Sequence, residues 1–127
     1  MTTNLHDLPI YQKAMDILAL SRNISTYLNQ DLCYLYSDGR EDEHIYFSGD
    51  IIQQSESLVP KIEKVEAERY SENKYRHLES LEQLTHRLNT NCKRLENCNS
   101  NGRDYLVLLK RELKKFNLLK NNWMLTL

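Results

Sequence analysis

The chain is poor in the residues that turn a backbone. Its 127 residues include three glycines and two prolines, far below average usage, whereas sheet proteins need such residues at frequent turns. Helices should therefore dominate. No stretch approaches the ~18 apolar residues of a membrane-spanning helix, and Asp7, Pro9, Lys13 and Asp16 leave no uncharged core for a signal peptide within the first twenty residues. A cytoplasmic protein with no membrane segment is expected. Cys33, Cys92 and Cys98 are odd in number and lack the two-residue spacing of zinc or redox pairs, which leaves buried or idle thiols.

What is present is a helical rhythm. From Leu78 to Leu95 an apolar or small residue returns at Leu78, Leu81, Thr85, Leu88, Cys92 and Leu95, with polar residues between. Steps alternating between three and four place these side chains in one stripe and let helices lie nearly parallel with interlocked side chains. A chain of this length buries roughly two-thirds of its unfolded surface, enough for one core. The fold class expected is all-α, an antiparallel up-and-down four-helix bundle forming a single domain over residues 1–127.

Four helices are predicted. The first runs from about Asp7 to Leu28, with Asp7 as cap, Pro9 in the first turn, and Ile10, Ala14, Ile17, Ser21, Ile24 and Leu28 on one face. Residues 29–43 read as a connection: Ser37-Asp38-Gly39 makes a turn and Glu41-Asp42-Glu43 charges the start of the next helix. That second helix spans about His44 to Glu68, burying Phe47, Ile51, Leu58, Ile62 and Val65, with a kink at Pro60. The third covers about Ser71 to Asn97. A loop follows to Gly102, which is expected in the left-handed conformation. The fourth, about Arg103 to Met124, turns Tyr105, Leu106, Leu109, Leu113, Phe116 and Trp123 inward.

Patterns of catalysis are scarce. Glu41 and His44 form one Glu-x-x-His, but di-iron bundles need two such motifs and two further inward glutamates. Glu82 and His86, four apart, read as a surface pair. No glycine-framed nucleophile elbow or phosphate loop surrounds any Ser, Cys or His. Neither an enzyme nor a bound metal or cofactor is expected.

Charge is uneven beneath a net value of -1. Residues 1–60 hold three bases against nine acids, whereas residues 103–127 hold six bases against two acids. The C-terminal helix is the basic end, which points to an anionic partner or to head-to-tail packing between subunits. At about 100° per residue, Arg103, Lys110, Arg111, Lys114 and Lys115 fall within an arc of about 140°, opposite the apolar arc. These five are the candidate nucleic-acid-binding residues, since bases on a rigid face can neutralise several phosphates. The alternative is a solvated helix face. A second segment, Arg69 to His77, interleaves bases with Tyr70 and Tyr75 as stacking and phosphate contacts require, or as tyrosines packed at a helix entrance.

The opening Asp7-Leu8-Pro9-Ile10-Tyr11-Gln12-Lys13-Ala14, the Ser57-Leu58-Val59-Pro60 of the second helix and the terminal Leu118-Leu119-Lys120-Asn121-Asn122-Trp123 together resemble a bacterial four-helix-bundle family. That family includes the 23S rRNA intervening-sequence proteins and the accessory variability proteins of diversity-generating retroelements. The resemblance implies a ring-shaped homo-oligomer, a pentamer in known cases, and for the retroelement branch a reverse transcriptase and its RNA as partners. Leu32, Tyr34, Tyr36 and Leu125 to Leu127 offer apolar surface for such association. Two functions stand side by side: a non-enzymatic nucleic-acid accessory protein, and a structural protein-interaction bundle with no nucleic-acid role.

Overall fold

A computed structural model describes residues 4–42, 44–98 and 100–127, without the Asn101 side chain. Glu43 and Asn99, assigned above to a charged helix start and to a loop, lie outside the described residues. Pro9 opens the first helix, α1 (Pro9–Leu32), at the position where a missing N–H removes no hydrogen bond and the fixed φ suits the helix. Asp7 does not cap it. Asp7 belongs to a 3-10 turn, Leu5–Asp7, whose own start is capped by the Asn4 side chain accepting from the His6 N–H at 3.1 Å. Leu8 precedes α1 without a side-chain cap. At its other end α1 runs four residues beyond Leu28, because Leu32 continues the buried face one turn further.

Tyr36 to Arg40 close a turn in which Gly39 adopts φ +85°, the one positive φ among the described residues. The second predicted helix is two helices, α2 (His44–Glu56) and α3 (Leu58–Ala67). The interruption falls at Ser57 and not at Pro60. A proline clashes with the carbonyl four residues back, here that of Glu56, so the break forms upstream and leaves Pro60 in the first turn of α3, where no donor is needed. Ser57 Oγ donates to Gln53 O at 2.9 Å and holds the two halves in line.

The third helix, α4 (Asn73–Leu95), buries all six residues of the predicted stripe and Asn91 with them. A 3-10 turn, Asn101–Tyr105, leads into α5 (Leu106–Met124). Gly102 is not left-handed. Its requirement is space, since a Cβ there would stand 3.1 Å from Tyr27 Cβ and 3.3 Å from Leu28 Cδ2, so the glycine lets the turn press on α1. Tyr105 is not inward either, being 42% exposed.

Helical residues make up 79% of those described, with no strand among them. Counting the interrupted α2 and α3 as one, four helical segments surround a single core. In it α1 packs on α2 and α5, and α4 packs on α2, α3 and α5. Ile17, Leu28, Ile51, Ile62, Leu81, Leu88, Leu109 and Phe116 meet there fully buried. Phe47 packs against that core only partly buried. Ser21 pairs with Ser55 at 2.8 Å and Ser25 with Ser48 at 2.7 Å between α1 and α2. Trp123 Nε1 donates to Glu66 Oε1 at 2.6 Å, tying α5 to α3. Leu32 is core and drops out of the proposed association surface, whereas Tyr34 and Leu125 are largely exposed. Among the described residues no helix is long and apolar enough to cross a membrane.

Candidate nucleic-acid interface

The apolar row Leu106, Leu109, Leu113, Phe116 and Trp123 turns into the core, so the helical repeat forces Lys110, Arg111, Lys114 and Lys115 outward. Arg111, Lys114 and Lys115 are exposed and Lys110 is partly so; Arg103 lies exposed in the preceding turn. Lys110, Arg111, Lys114 and Val107 line a shallow depression of about 270 Å³. The five bases are not equally available. Lys110 Nζ lies 2.7 Å from Glu96, the C-cap of α4, and Lys115 Nζ lies 3.3 Å from Glu112. Arg103 donates to Cys98 O at 3.4 Å. Among the described residues, Arg111 and Lys114 make no ion pair or side-chain hydrogen bond and present whole cationic groups to solvent.

Glu112 is the negative centre beneath this face. Lys13 of α1 donates to it at 2.7 Å. That bond, aided by Lys115 and opposed by burial, holds the Glu112 carboxyl below its ordinary value. The same bond, again opposed by burial, raises Lys13. One fan member is therefore partly neutralised by an acid that α1 already uses.

The segment from Arg69 to His77 is arranged differently from a strand-binding surface. Arg69 donates to Thr126 O at 2.6 Å and pairs with Glu66, while Lys74 Nζ donates to Leu127 O at 2.7 Å. Both bases satisfy carbonyls beyond the end of α5, a role that basic side chains take at helix C-termini. Tyr70 and Tyr75 remain exposed, and Lys74 lies over the Tyr75 ring.

Glu41 and His44 do not converge. Tyr46 donates to Glu41 at 2.7 Å, whereas the His44 ring lies 2.7 Å from the buried Asp42. Burial raises the Asp42 pKa, but the His44 backbone and ring and the Tyr36 hydroxyl outweigh it and hold the carboxyl below its ordinary value. Among the described residues no three His, Cys, Asp or Glu come together as a metal site. Cys92 and Cys98 are buried and Cys33 exposed, all three free; burial pushes the Cys92 thiol up to about 12.

Two features escaped the sequence. Tyr105 stacks on Tyr27, with ring centroids 5.4 Å apart and planes at 11°. The pair borders an open cavity of about 520 Å³ with Leu20, Ile24 and Leu108. The second is Lys120, buried on the core side of α5 between Phe116 and Trp123. Its signal was legible as a gap, because the 3,4 rhythm from Leu109 through Leu113 and Phe116 calls for an apolar residue at 120.

No family model, no curated protein and no solved structure matches this chain.

Proposed function

We propose that this chain is a non-enzymatic accessory protein of the cytoplasm, an antiparallel up-and-down four-helix bundle that self-associates and binds RNA phosphates through the outer face of α5. The observation that carries this reading is that Arg111 and Lys114 stand unpaired beside Lys110 and Lys115 on a rigid face turned away from the core. Antiparallel order is supported by the pairings: Ser21 and Ser25 meet Ser55 and Ser48, and Glu82 and Glu96 meet Lys120 and Lys110. In each case one partner number rises as the other falls. The resemblance to retroelement accessory proteins supplies the expected company, a reverse transcriptase and its RNA, and the closed ring, most simply a pentamer. In a ring the face recurs in every subunit, so modest contacts reinforce one another.

A second reading, a purely structural interaction bundle, is favoured by the internal pairing of Lys110 and Lys115 and by the exposed Val107 and Leu118 on the same face. RNA binding measured across salt concentration separates the two. Arg111→Glu with Lys114→Glu should weaken binding to unrelated RNA sequences alike and lower the salt slope by about 2, roughly one per lost phosphate contact. The helical signal should be unchanged, since both residues point away from the core. Unaltered affinity and slope would leave the structural bundle as the better reading. Light scattering at the monomer mass of 15.1 kDa would remove the ring.

A further inference from the structure

A lysine stands where the core calls for an apolar side chain. Lys120 follows Phe116 by one helical turn and precedes Trp123 by three residues in the buried row of α5, and its side chain is 8% exposed. A cation so placed needs compensation, because a buried charge without partners costs several kcal/mol. Its counter-ion is Glu82 of α4, at 3.5 Å, with a side chain 56% exposed. The two partners are unequal: the lysine is fixed by its surroundings and the glutamate is free to swing into solvent.

Around this pair α4 and α5 part to form a cleft of about 360 Å³. Asn89 and His86 line it from α4, and Asn117 and Asn121 from α5. Among the described residues, the side chains of these four make no hydrogen bond. The Thr85 hydroxyl at the same wall donates back to the carbonyls of Leu81 and Glu82, both at 2.9 Å. The cleft thus offers three carboxamide groups, an imidazole and an ammonium with three N–H donors, against one loosely held carboxylate. No Phe, Tyr or Trp is among the residues that line it, so the His86 imidazole is the one ring there on which an unpaired base could stack.

We propose that the cleft binds a phosphoryl oxyanion, which takes the place of Glu82 against Lys120 and accepts hydrogen bonds from Asn89, Asn117 and Asn121. Donors arriving from two helices suit a tetrahedral group with acceptor oxygens in several directions better than a planar carboxylate with two. Glu82 acts as the resident counter-ion that keeps the empty site neutral and leaves when the anion enters. The cleft shares no lining residue with the depression beside Lys110, Arg111 and Lys114 on the outer face of α5, so the proposal stands or falls apart from the RNA reading. A free phosphorylated compound and a phosphate of a nucleic acid present the same chemistry.

Inorganic phosphate titrated into the whole chain at constant ionic strength, followed by the side-chain amide signals of asparagine in NMR, tests the site. Saturable shifts of the Asn89, Asn117 and Asn121 amides are expected. Lys120→Met should abolish them, with an unchanged helical signal confirming a folded variant. Glu82→Gln should act oppositely, tightening phosphate by about two- to fivefold, the equivalent of a partly exposed ion pair no longer in competition. The paired reversal of Arg111 and Lys114 should leave the titration as it is. If an RNA oligonucleotide displaces the phosphate, the ligand is a nucleic-acid phosphate; if it does not, a free phosphoryl compound is assigned. Phosphate binding that survives Lys120→Met, or weakens in Glu82→Gln, overturns the proposal.

Discussion

The seam between α1 and α2 and the seam between α4 and α5 solve the same packing problem by opposite means. Between α1 and α2 the buried polar residues are four serines, bonded in two pairs at 2.8 and 2.7 Å, and the ion pair Arg22 to Glu56 stays at the half-exposed rim. Between α4 and α5 the polar groups are long and charged, Glu96 with Lys110 and Glu82 with Lys120, and a cleft opens beside the second pair. Small side chains let helix axes approach closely, and in each serine pair one hydroxyl donates to the other, so both oxygens are engaged within the seam. Long side chains hold the other seam apart and leave donors unspent. A closed polar contact fixes the fold, whereas an open one leaves chemistry for a ligand, which is why the candidate sites gather along α5.

Both seams rest on one core, and the largest expected effect tests that premise. Leu88 is fully buried in the middle of the α4 stripe. Leu88→Asp places a carboxylate there with no cation to pair it and should destabilise by about 4 kcal/mol or more, enough to unfold a marginal domain. Leu88→Met, which conserves volume, should cost less than about 1.5 kcal/mol. Denaturant unfolding measures both. An Asp variant that unfolds like the parent chain would mean that no common core lies under the two seams.

Opposite signs are expected when each seam is made to resemble the other. Ser25→Leu forces a larger side chain into the closed α1 and α2 contact and leaves the Ser48 hydroxyl without its partner, at a cost of about 2 to 4 kcal/mol. Lys120→Met removes a buried charge from the open seam while filling much of the same volume. Removing one partner of an ion pair is costly where it strands a buried charge, but the remaining Glu82 side chain is 56% exposed and stays hydrated, so the unfolding midpoint should stay level or rise. The contrast between the seams collapses if both substitutions destabilise alike.

How much of this was legible beforehand depends on what decides each feature. The stripes of α1, α4 and α5 were readable because burial of one helix face imposes its period on the sequence directly. The break at Ser57 was misplaced by three residues, since Pro60 announces a disturbance but the clash acts one turn upstream. Asp7 looked like a cap by residue type, yet capping depends on backbone geometry that the 3-10 turn supplied to Asn4 instead. The outward fan on α5 followed from helical geometry alone. Which of its members are engaged did not, because Glu96 lies 14 residues before Lys110 and only the approach of α4 to α5 joins them. Lys120 was visible as a gap in a pattern, but its cleft depends on residues from two helices and on side-chain positions that no local spacing encodes.

The smallest effect belongs to a third contact that joins α1 to α5 and is intermediate between the two seams. Lys13 and Glu112 pair at 2.7 Å with side chains 20% and 22% exposed, less open to water than the Arg22 pair yet less enclosed than Lys120. The bond from Lys13 is the chief cause that holds Glu112 below its ordinary value, so folding favours the carboxylate. A carboxyl depressed in the folded state contributes stability above its unfolded value and loses it as pH falls through the depressed one. Lys13 is raised, chiefly by the same bond, so its share persists below the ordinary lysine value and disappears only as pH rises through the raised one. The pair should therefore act at full strength across neutral pH. Glu112→Gln is expected to lower stability by about 0.5 to 1 kcal/mol at pH 7, the range of a partly exposed ion pair. That difference from the parent chain should begin to narrow as pH falls below the ordinary glutamate value of about 4.3, where the unfolded chain takes up the proton, and close as pH falls through the depressed folded value. Urea midpoints of the two proteins at pH 7 and pH 3 measure it. A gap that is as wide at pH 3 would show that Glu112 acts through packing and shape, as the serines do, and would move this contact to the closed side of the comparison.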